Sequence, residues 1–358
     1  MEDSTRLAFE GQKRKGRCSG ADSSMPCAEE PNPTSRSAFE RHVVSGLARH
    51  PRALSSLWFY DDRGSALFRE IMALPGYYPT RAEREILERH ASAIIRSSCT
   101  ERLLVVDLGA GDASKTRYLL DAAREAGVDA TYAPIDVSEG ALVTAQASID
   151  AVLPGQRVLP VVGDYASGLA ELAVREPATP RLVLLLGSNI GNLEHDAASA
   201  LLASIVRGLG PRDRLLVGYD LMKDPRRLRA AYDDPEGVTA AFNLNLLARI
   251  NRELGADFDL EGFRHVATLD LRRPAMESWI VSTKRQVVRV AGHDFELDAW
   301  EPIHTEISCK YGDEHLERFA SEARLVEVER YFDERRDFVD VLYRPAVELR
   351  GHPVGGRA

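Results

Sequence analysis

The stretch ERLLVVDLGAGDASKTRYLLDAAREAG, residues 101–127, decides the fold. Its apolar run from Leu103 to Val106 is typical of a strand that is buried on both faces of a parallel sheet. A glycine-containing turn follows, and the residues from about Ser114 onward predict a helix. A strand, a tight turn and a helix in this order indicate the start of a doubly wound α/β domain.

The alternation of strands and helices continues along the chain. Four further strands are predicted, with helical stretches between them: ATYAPIDVS, RVLPVVGDY, RLVLLLGSNIGNL and DRLLVGYDL. After Lys223 the alternation stops, and helices are followed by segments with period-two alternation, which indicates an α+β region. Near the C-terminus, a predicted helix precedes LVEVERYFD and FVDVLYRPAV, which we expect to pair as antiparallel strands.

Composition restricts the class of protein. A chain of 358 residues is long enough for one large or two medium domains. A formal charge of −9 argues against nucleic acid or an anionic membrane as the main partner. The apolar runs are too short to span a bilayer, the N-terminus lacks the apolar region of a secretory signal, and the four cysteines show no paired spacing. We therefore expect a cytoplasmic, monomeric enzyme that acts on a small molecule and binds no metal.

The glycine turn and the end of the next strand have the features of a nucleotide site. DLGAGDASKT contains two glycines of a dinucleotide fingerprint, Gly109 and Gly111, at which the backbone can approach a ligand closely. Asp136 ends the next predicted strand, where an acid can bind ribose hydroxyls. Asp107 and Asp112 would repel a diphosphate. The set therefore favours S-adenosylmethionine over a cofactor that contains a pyrophosphate.

Three further residues belong to the predicted cofactor site. Asp164, in the GDY sequence at the third strand end, is placed to meet the adenine amino group, and Tyr165 follows it. Lys115 lies in the first predicted helical turn, where it either meets the methionine carboxylate or is a solvated surface lysine. A strand-end aspartate is also often only a helix N-cap. That structural alternative stays open for Asp136 and Asp164.

Four blocks of sequence are more particular than a generic α/β domain requires. They are YDDRGSALFREIMALPGYYPTRAE (60–83), LGSNIGNL (186–193), LMKDPRRLRAAYDDPEGVTAAFNLNLLARINRELGADFDL (221–260) and TEISCKY (305–311). In this order they resemble the L-histidine N-alpha-methyltransferases of ergothioneine biosynthesis, over roughly residues 38–345. The resemblance implies a seven-stranded Rossmann-like class I methyltransferase domain with a second, α+β substrate-binding domain. It also implies that S-adenosylmethionine, a cosubstrate, trimethylates the histidine α-amine to give hercynine.

The resemblance also implies roles for single residues. Asn192 and Tyr232 would hold the amino-acid carboxylate, and Tyr60 would act as a lid over the bound substrate, so these three are the predicted catalytic residues. An amide and a phenol are suitable donors for a buried carboxylate. No general base is assigned, because the α-amine can lose its proton to solvent before the site closes.

The side chain of the substrate would be met by a second set of residues. The resemblance implies that Tyr77, Glu306 and Ser308 contact the imidazole, whose N–H has an ionised carboxylate as its natural acceptor. Spacing alone leaves structural alternatives open: a packing role for Tyr77 and a solvated strand face for Glu306 and Ser308. The family usually has IEM where this chain has MESW, which puts Ser278 in place of a methionine expected to line the pocket.

Composition and the resemblance together divide the chain into five segments. Residues 1–35 mix Ser, Gly, Pro and charged residues with little apolar periodicity and are expected to form a disordered leader, with an artefact at the start site as the open alternative. Segments 36–80 and 223–312 would form the substrate-binding domain, and segments 81–222 and 313–350 the methyltransferase domain.

Three alternative functions remain. The same fold could methylate a different amino acid, for example an aromatic one. A catalytically silent S-adenosylmethionine-binding protein is the second, although the Asn192, Tyr232 and Glu306 set argues against it. A nicotinamide dehydrogenase is the least favoured interpretation, because the third fingerprint glycine is missing.

Overall fold

A computed structural model describes residues 35–98 and 100–346, so most of the predicted leader lies outside the described residues. The α-helices are α1 Arg36–Ala48, α2 Asp62–Ala73, α3 Pro79–Arg96, α4 Thr116–Glu125, α5 Glu139–Val152, α6 Tyr165–Arg175, α7 His195–Arg207, α8 Pro225–Tyr232, α9 Val238–Leu254 and α10 Asp313–Glu322. The strands are β1 Arg52–Ala53, β2 Arg102–Leu108, β3 Asp129–Asp136, β4 Val161–Val162, β5 Arg181–Leu185, β6 Arg214–Asp220, β7 Phe263–Asp270, β8 Ala275–Ser282, β9 Gln286–Val290, β10 His293–Leu297, β11 Pro302–Cys309, β12 Leu325–Phe332 and β13 Phe338–Pro345. Across these residues, no helix is both long and apolar enough to cross a membrane.

The larger sheet has seven strands in the order β12-β13-β6-β5-β2-β3-β4. Strands β2 to β6 are parallel, whereas β13 runs antiparallel to both β6 and β12. The predicted seven-stranded α/β fold and the antiparallel C-terminal pair are thus confirmed. In the stretch predicted as the third strand, β4 is only two residues long; Leu159 before it donates to the Tyr132 carbonyl, but Pro134 of β3 has no N–H to continue the ladder.

Both faces of this sheet are buried, as the continuous apolar run in β2 predicted. Leu103 and Val105 pack into a cluster with α3 and α4, and Leu104 and Val106 pack into a cluster on the opposite face with α6 and α7. Side chains alternate between the faces of a strand, so a strand covered by helices on both sides must be apolar at every position. The sheet therefore forms the rigid floor from which the strand-end residues project.

A second layer surrounds a separate apolar core. Strands β1, β11, β8 and β7 form a four-stranded sheet in that order, and β9 and β10 form a hairpin. Helices α1, α2 and α9 pack against these strands through a cluster that includes Phe39, Trp58, Phe242 and Phe263. The layer is thus built from two segments that are far apart in the sequence. The predicted division of the chain at residues 80, 222 and 312 stays a prediction.

The two sheets meet where β6 and β11 end. The Tyr311 N–H donates to the Asp220 carbonyl at 2.9 Å, and the Met222 N–H donates to the Tyr311 carbonyl at 2.9 Å. The carboxyl end of a parallel strand is where α/β proteins bind their ligands. This junction therefore brings the inward-facing residues of β11 to the ligand-binding edge of the larger sheet.

Candidate functional site

A cavity that is partly open to solvent lies between the two layers at the ends of β5 and β6, and the space within it, including its solvent-filled mouth, is about 590 Å³. The structure brings six of the predicted substrate and catalytic residues onto its wall: Tyr60, Tyr77, Asn192, Tyr232, Glu306 and Ser308. These residues come from five different elements or loops, so only the tertiary fold brings them together.

One wall of the cavity is aromatic. Tyr60 packs edge-on against Phe68 and Phe242, with ring centroids 5.6 and 5.7 Å apart, and Phe68 packs against Tyr77 at 6.2 Å. Tyr60 is 46% exposed and stands at the mouth of the cavity. Burial of its hydroxyl end, with the Glu306 carboxylate nearby, raises the pKa of Tyr60. This wall excludes water from one side of the cavity.

The two adjacent tyrosines of GYYPTR have different surroundings. Tyr77 lines the cavity, whereas Tyr78 is buried behind it and its hydroxyl contacts both carboxylate oxygens of Asp220 at 2.8 Å. Lys223 donates to the Tyr78 hydroxyl at 2.7 Å and forms an ion pair with Asp220. Helix α3 begins directly afterwards at Pro79, whose fixed φ suits the first helical position. The two adjacent tyrosines therefore differ in position: Tyr77 lines the cavity, and Tyr78 contacts Asp220 behind it.

The polar wall is a connected set of hydrogen bonds. The Tyr232 and Ser308 hydroxyl oxygens lie 2.7 Å apart, and the Lys310 ammonium donates to them at 2.9 and 2.7 Å respectively. Lys310 also pairs with Asp220 at 3.0 Å. Neither Lys310 nor Asp220 was predicted from the sequence, although Lys310 stands in the TEISCKY block. Its spacing of two from Ser308 and four from Glu306 was the available signal, because such positions share a strand face.

Glu306 reaches the cavity from an irregular point in β11. The pairing of β11 with β8 shifts register between His304 and Glu306, and the Thr305 hydroxyl there donates to the Ser278 carbonyl at 2.9 Å. Such bulges redirect a side chain. Burial raises the pKa of Glu306 to about 7, although the Lys310 ammonium and then the Ser278 hydroxyl act to lower it. Glu306 therefore changes its charge close to neutral pH.

Ser278 is the neighbour of Glu306 in the four-stranded sheet. It pairs with Glu306 across the two strands and is 1% exposed, but it is not among the residues that line the cavity. Its hydroxyl has no hydrogen-bond partner of good geometry within the described part of the chain. Directly paired residues of antiparallel strands have side chains on the same face, so Ser278 lies beside the acid, and its contact with the substrate side chain stays a prediction.

Asn192 lines the cavity from the loop that follows β5. That loop holds Gly187 and Ser188 at φ values of 77° and 55°, in the left-handed region. It then forms a short 3-10 helix that ends at Asn192. The Ser188 hydroxyl accepts the Asp220 N–H at 3.2 Å, which ties the loop to the end of β6. The loop thus places an amide on the cavity wall beside the polar network.

The glycine turn after β2 fits a ligand that approaches the backbone. Gly109 and Gly111 have φ values of 74° and 55°, and a Cβ at Gly109 would lie 2.9 Å from the Tyr165 hydroxyl. Asp136 ends β3, and burial raises its pKa. The Tyr165 hydroxyl itself accounts for the glycine at Gly109, whereas the space beside Gly111 is open. This open turn, the strand-end acid and the Tyr165 ring fit the ribose and base of S-adenosylmethionine.

Asp164 is the N-cap of α6, which is the structural alternative left open for it. One of its carboxylate oxygens accepts the N–H groups of Ala166 and Ser167 at 2.9 Å each, so it caps α6. The Ser167 N–H is the main cause of the lowered pKa of Asp164. An N-cap explains an aspartate at this position without a ligand. A role in adenine binding stays a prediction.

Lys115 is neither a solvated surface lysine nor a residue of the first helical turn. It directly precedes α4, and its ammonium forms an ion pair with Glu83, whose side chain is fully buried. Glu83 also accepts the Gly187 N–H at 2.7 Å. Contact of Lys115 with the methionine carboxylate stays a prediction. The observed pairs connect the glycine turn to the loop that forms the cavity wall.

A second buried acid lies beside Glu83. A Cβ at Gly218 would overlap the Glu83 carboxylate and would lie 3.1 Å from Asp340 Oδ1, so both acids occupy the space that this glycine leaves. Asp340 is fully buried, and neither of its oxygens has a hydrogen-bond partner among residues 35–98 and 100–346. Burial first, and then the charge of Glu83, raises the pKa of Asp340 well above its usual value. Asp340 therefore keeps its proton to a higher pH than an exposed aspartic acid does.

Taken together, these features define the class of protein. The parallel sheet, the glycine turn after β2, the acid that ends β3 and a substrate layer over the strand ends are those of an S-adenosylmethionine-dependent methyltransferase with a Rossmann-like fold. Residues 39–345 match the sequence model of the family described as histidine-specific, S-adenosylmethionine-dependent methyltransferases. The chain belongs to this family, which confirms the prediction from the sequence.

Characterised relatives share most of the chain. A histidine N-alpha-methyltransferase from Mycolicibacterium smegmatis is 43% identical over 303 residues, which cover 84% of this chain and 93% of that protein. A histidine N-alpha-methyltransferase from Mycobacterium tuberculosis has the same identity and coverage. Ergothioneine biosynthesis protein 1 of Neurospora crassa is 31% identical over 285 residues, which cover 78% of this chain and 32% of that larger protein.

The buried acid pair predicts a pH dependence of stability. The unfolded Asp340 carboxyl titrates near pH 4, whereas the folded one keeps its proton at higher pH, so the free energy of unfolding falls as pH rises above about 4. Asp340→Asn is neutral at every pH and loses this slope. We expect the variant to gain about 1–3 kcal/mol relative to the unsubstituted protein between pH 5 and pH 8, as measured by urea unfolding. Equal pH slopes for the two proteins would show that Asp340 is not protonated in the folded state.

Proposed function

We propose that the protein transfers methyl groups from S-adenosylmethionine to the α-amine of L-histidine and that the trimethylated product is hercynine. The observation that carries the proposal is the cavity itself, which has an acid, Glu306, on the same wall as the hydroxyls of Tyr232 and Ser308. L-Histidine has an N–H donor in its ring and an acceptor in its carboxylate. The wall offers a carboxylate acceptor for the ring N–H and hydroxyl donors for the substrate carboxylate.

The imidazole is assigned to Glu306. A carboxylate whose pKa is about 7 is largely ionised above neutral pH and then accepts the ring N–H in a charge-assisted hydrogen bond. Tyr77, on the adjacent aromatic wall, is placed to pack against the ring. An amino acid with an apolar ring would leave the buried acid unpaired, which supports selectivity for histidine.

The α-carboxylate is assigned to Tyr232 and Asn192. Both line the cavity, and both carry a hydrogen-bond donor. With the two ends of the substrate fixed, the α-amine is held in one position, which converts methyl transfer into an effectively unimolecular step. S-Adenosylmethionine supplies an electrophilic methyl group on a sulfonium. The contribution of the chain is to orient the amine and, through Tyr60 and the aromatic wall, to exclude water.

The cosubstrate is assigned to the turn after β2 and the ends of β3 and β4. At Gly109 and Gly111 the cosubstrate can approach the backbone closely, and Asp136 would accept hydrogen bonds from the ribose hydroxyls. Tyr165 and Asp164 lie at the start of α6, beside the glycine turn. We assign no general base: the amine attacks in its neutral form, and the proton that the product ammonium must lose before the second and before the third transfer passes to solvent between turnovers.

The direct test is product analysis. We expect the protein, incubated with S-adenosylmethionine and an equimolar pool of amino acids, to convert histidine to a product with three added methyl groups, detected by mass spectrometry. Methylation of an aromatic amino acid in preference to histidine would favour the alternative substrate. No methylated product of any amino acid would contradict the proposal.

Glu306 should determine which ring is accepted. Glu306→Ala removes a charge-assisted hydrogen bond, so kcat/KM for histidine should fall roughly 10- to 150-fold. The preference for histidine over phenylalanine, whose ring has no N–H donor, should fall with it, because the acid that rejects an apolar ring is gone. A matched control is Glu277→Ala, which removes a neighbouring acid that lies outside the cavity and pairs with Arg273. An unchanged ratio of the two kcat/KM values would place Glu306 outside the substrate site.

Asp136 should determine the affinity for the cosubstrate. A hydrogen bond to a charged group contributes about 1.5–3 kcal/mol, so Asp136→Ala should weaken binding of S-adenosylhomocysteine roughly tenfold or more by calorimetry. Asp129→Ala is the matched control, since Asp129 begins the same strand at its opposite, exposed end. Equal affinities of the two variants would remove Asp136 from the cosubstrate site.

A further inference from the structure

Lys310 is a fully buried lysine directly behind the cavity. It follows β11, where it continues the strand face of Glu306 and Ser308, and it is 1% exposed. Its ammonium has three acceptors within 3.0 Å: Asp220, Tyr232 and Ser308. Burial of an ammonium is unfavourable unless each N–H is paired, and here each of its three N–H groups has an acceptor.

These contacts fix the direction of the hydroxyl protons. The Tyr232 and Ser308 oxygens each accept a hydrogen bond from Lys310, so neither hydroxyl can direct its own proton at the ammonium. The 2.7 Å contact between the two oxygens uses the proton of one hydroxyl. The proton of the other hydroxyl must point elsewhere, and both residues line the cavity. The pair therefore presents one O–H donor to a ligand in the cavity.

The Lys310 ammonium lies at the hydroxyl pair itself. It contacts both hydroxyls, whereas Lys223, the other lysine that pairs with Asp220, contacts Tyr78 instead. The two lysines, Asp220 and an ionised Glu306 together carry no net charge, so attraction for an anion depends on the position of the Lys310 ammonium and not on an excess of charge. An anionic group that accepts the free O–H lies close to this buried ammonium, where shielding from water strengthens the attraction.

We propose that Lys310 is a positioning residue for the substrate carboxylate, which orients the Tyr232 and Ser308 hydroxyls and supplies the positive charge close to the bound anion. The assignment rests on the proposed function, and it deepens the role given to Tyr232. It predicts that Lys310 distinguishes L-histidine from histamine, the same molecule without its carboxylate.

The test compares the affinities of these two ligands in the presence of S-adenosylhomocysteine. In the intact protein, calorimetry should give a lower dissociation constant for histidine than for histamine. Lys310→Met should weaken histidine roughly tenfold or more and histamine less than about threefold, so the ratio of the two constants falls. Binding of S-adenosylhomocysteine, measured separately, should change less than about threefold. A purely structural role for Lys310 would weaken both ligands alike.

Lys223→Met is the matched control. It removes the same charge from the same aspartate, but Lys223 contacts Tyr78 and neither hydroxyl of the cavity. The affinity ratio should therefore stay near that of the intact protein. If Lys310→Met does not fold, Lys310→Gln provides the same comparison, because it keeps N–H donors and removes only the charge.

A ratio in Lys310→Met or Lys310→Gln equal to that of the intact protein would overturn the assignment, as would an equal fall in Lys223→Met. These outcomes are separate from failure of the proposed function. An intact protein that methylates no histidine contradicts that function, whereas one that methylates histidine while its lysine variants keep the ratio contradicts only the role of Lys310.

Discussion

The buried ion pair between Asp220 and Lys310 is the constraint on which the cavity depends. Asp220 ends β6 of the larger sheet, and Lys310 follows β11 of the smaller one, so the pair joins the two layers at the point where their backbones are also hydrogen-bonded. Loss of one partner of such a pair typically destabilises a protein by about 3–5 kcal/mol, because the other charge is left buried. The relative position of the acid wall and the strand ends therefore follows from this junction.

A second connection runs from the glycine turn to the cavity. Glu83 accepts the Gly187 N–H and pairs with Lys115, so one buried carboxylate contacts both the loop after β5 and the residue before α4. Burial and the charge of Glu83 raise the pKa of Asp340 beside it, which favours the protonated acid and limits the repulsion between two acids in the same space. The same buried carboxylate, Glu83, therefore connects the proposed cosubstrate end and the proposed substrate end of the site.

Local sequence predicted the parts of this structure that depend on local chemistry. The continuous apolar run of β2, the glycines after it and the acid that ends β3 follow from strand burial and backbone conformation, which can be derived from short stretches. The substrate residues could be chosen only through resemblance to a family, since nothing in the spacing of Tyr77, Asn192 and Glu306 indicates that they share a cavity.

The residues that were missed are those whose role depends on partners distant in sequence. Asp220 and Asp340 are each ordinary acids in apolar strands, and only the fold reveals that one balances two lysines and the other shares space with Glu83. Ser278 was chosen from its position in the family pattern, and only strand pairing shows that it lies directly beside Glu306. Register across a sheet is a tertiary property, and one sequence does not contain it explicitly.

The central claim is that one wall binds both ends of the amino acid, the ring at Glu306 and the carboxylate at Tyr232. The most direct measurement is a crystal structure of the protein with S-adenosylhomocysteine and L-histidine. We predict an imidazole nitrogen at a hydrogen-bond distance of about 2.7–3.2 Å from Glu306, with the carboxylate at the same distance from the Tyr232 hydroxyl. A reversed orientation, with the ring at Tyr232, or a histidine bound outside the cavity, would contradict the account.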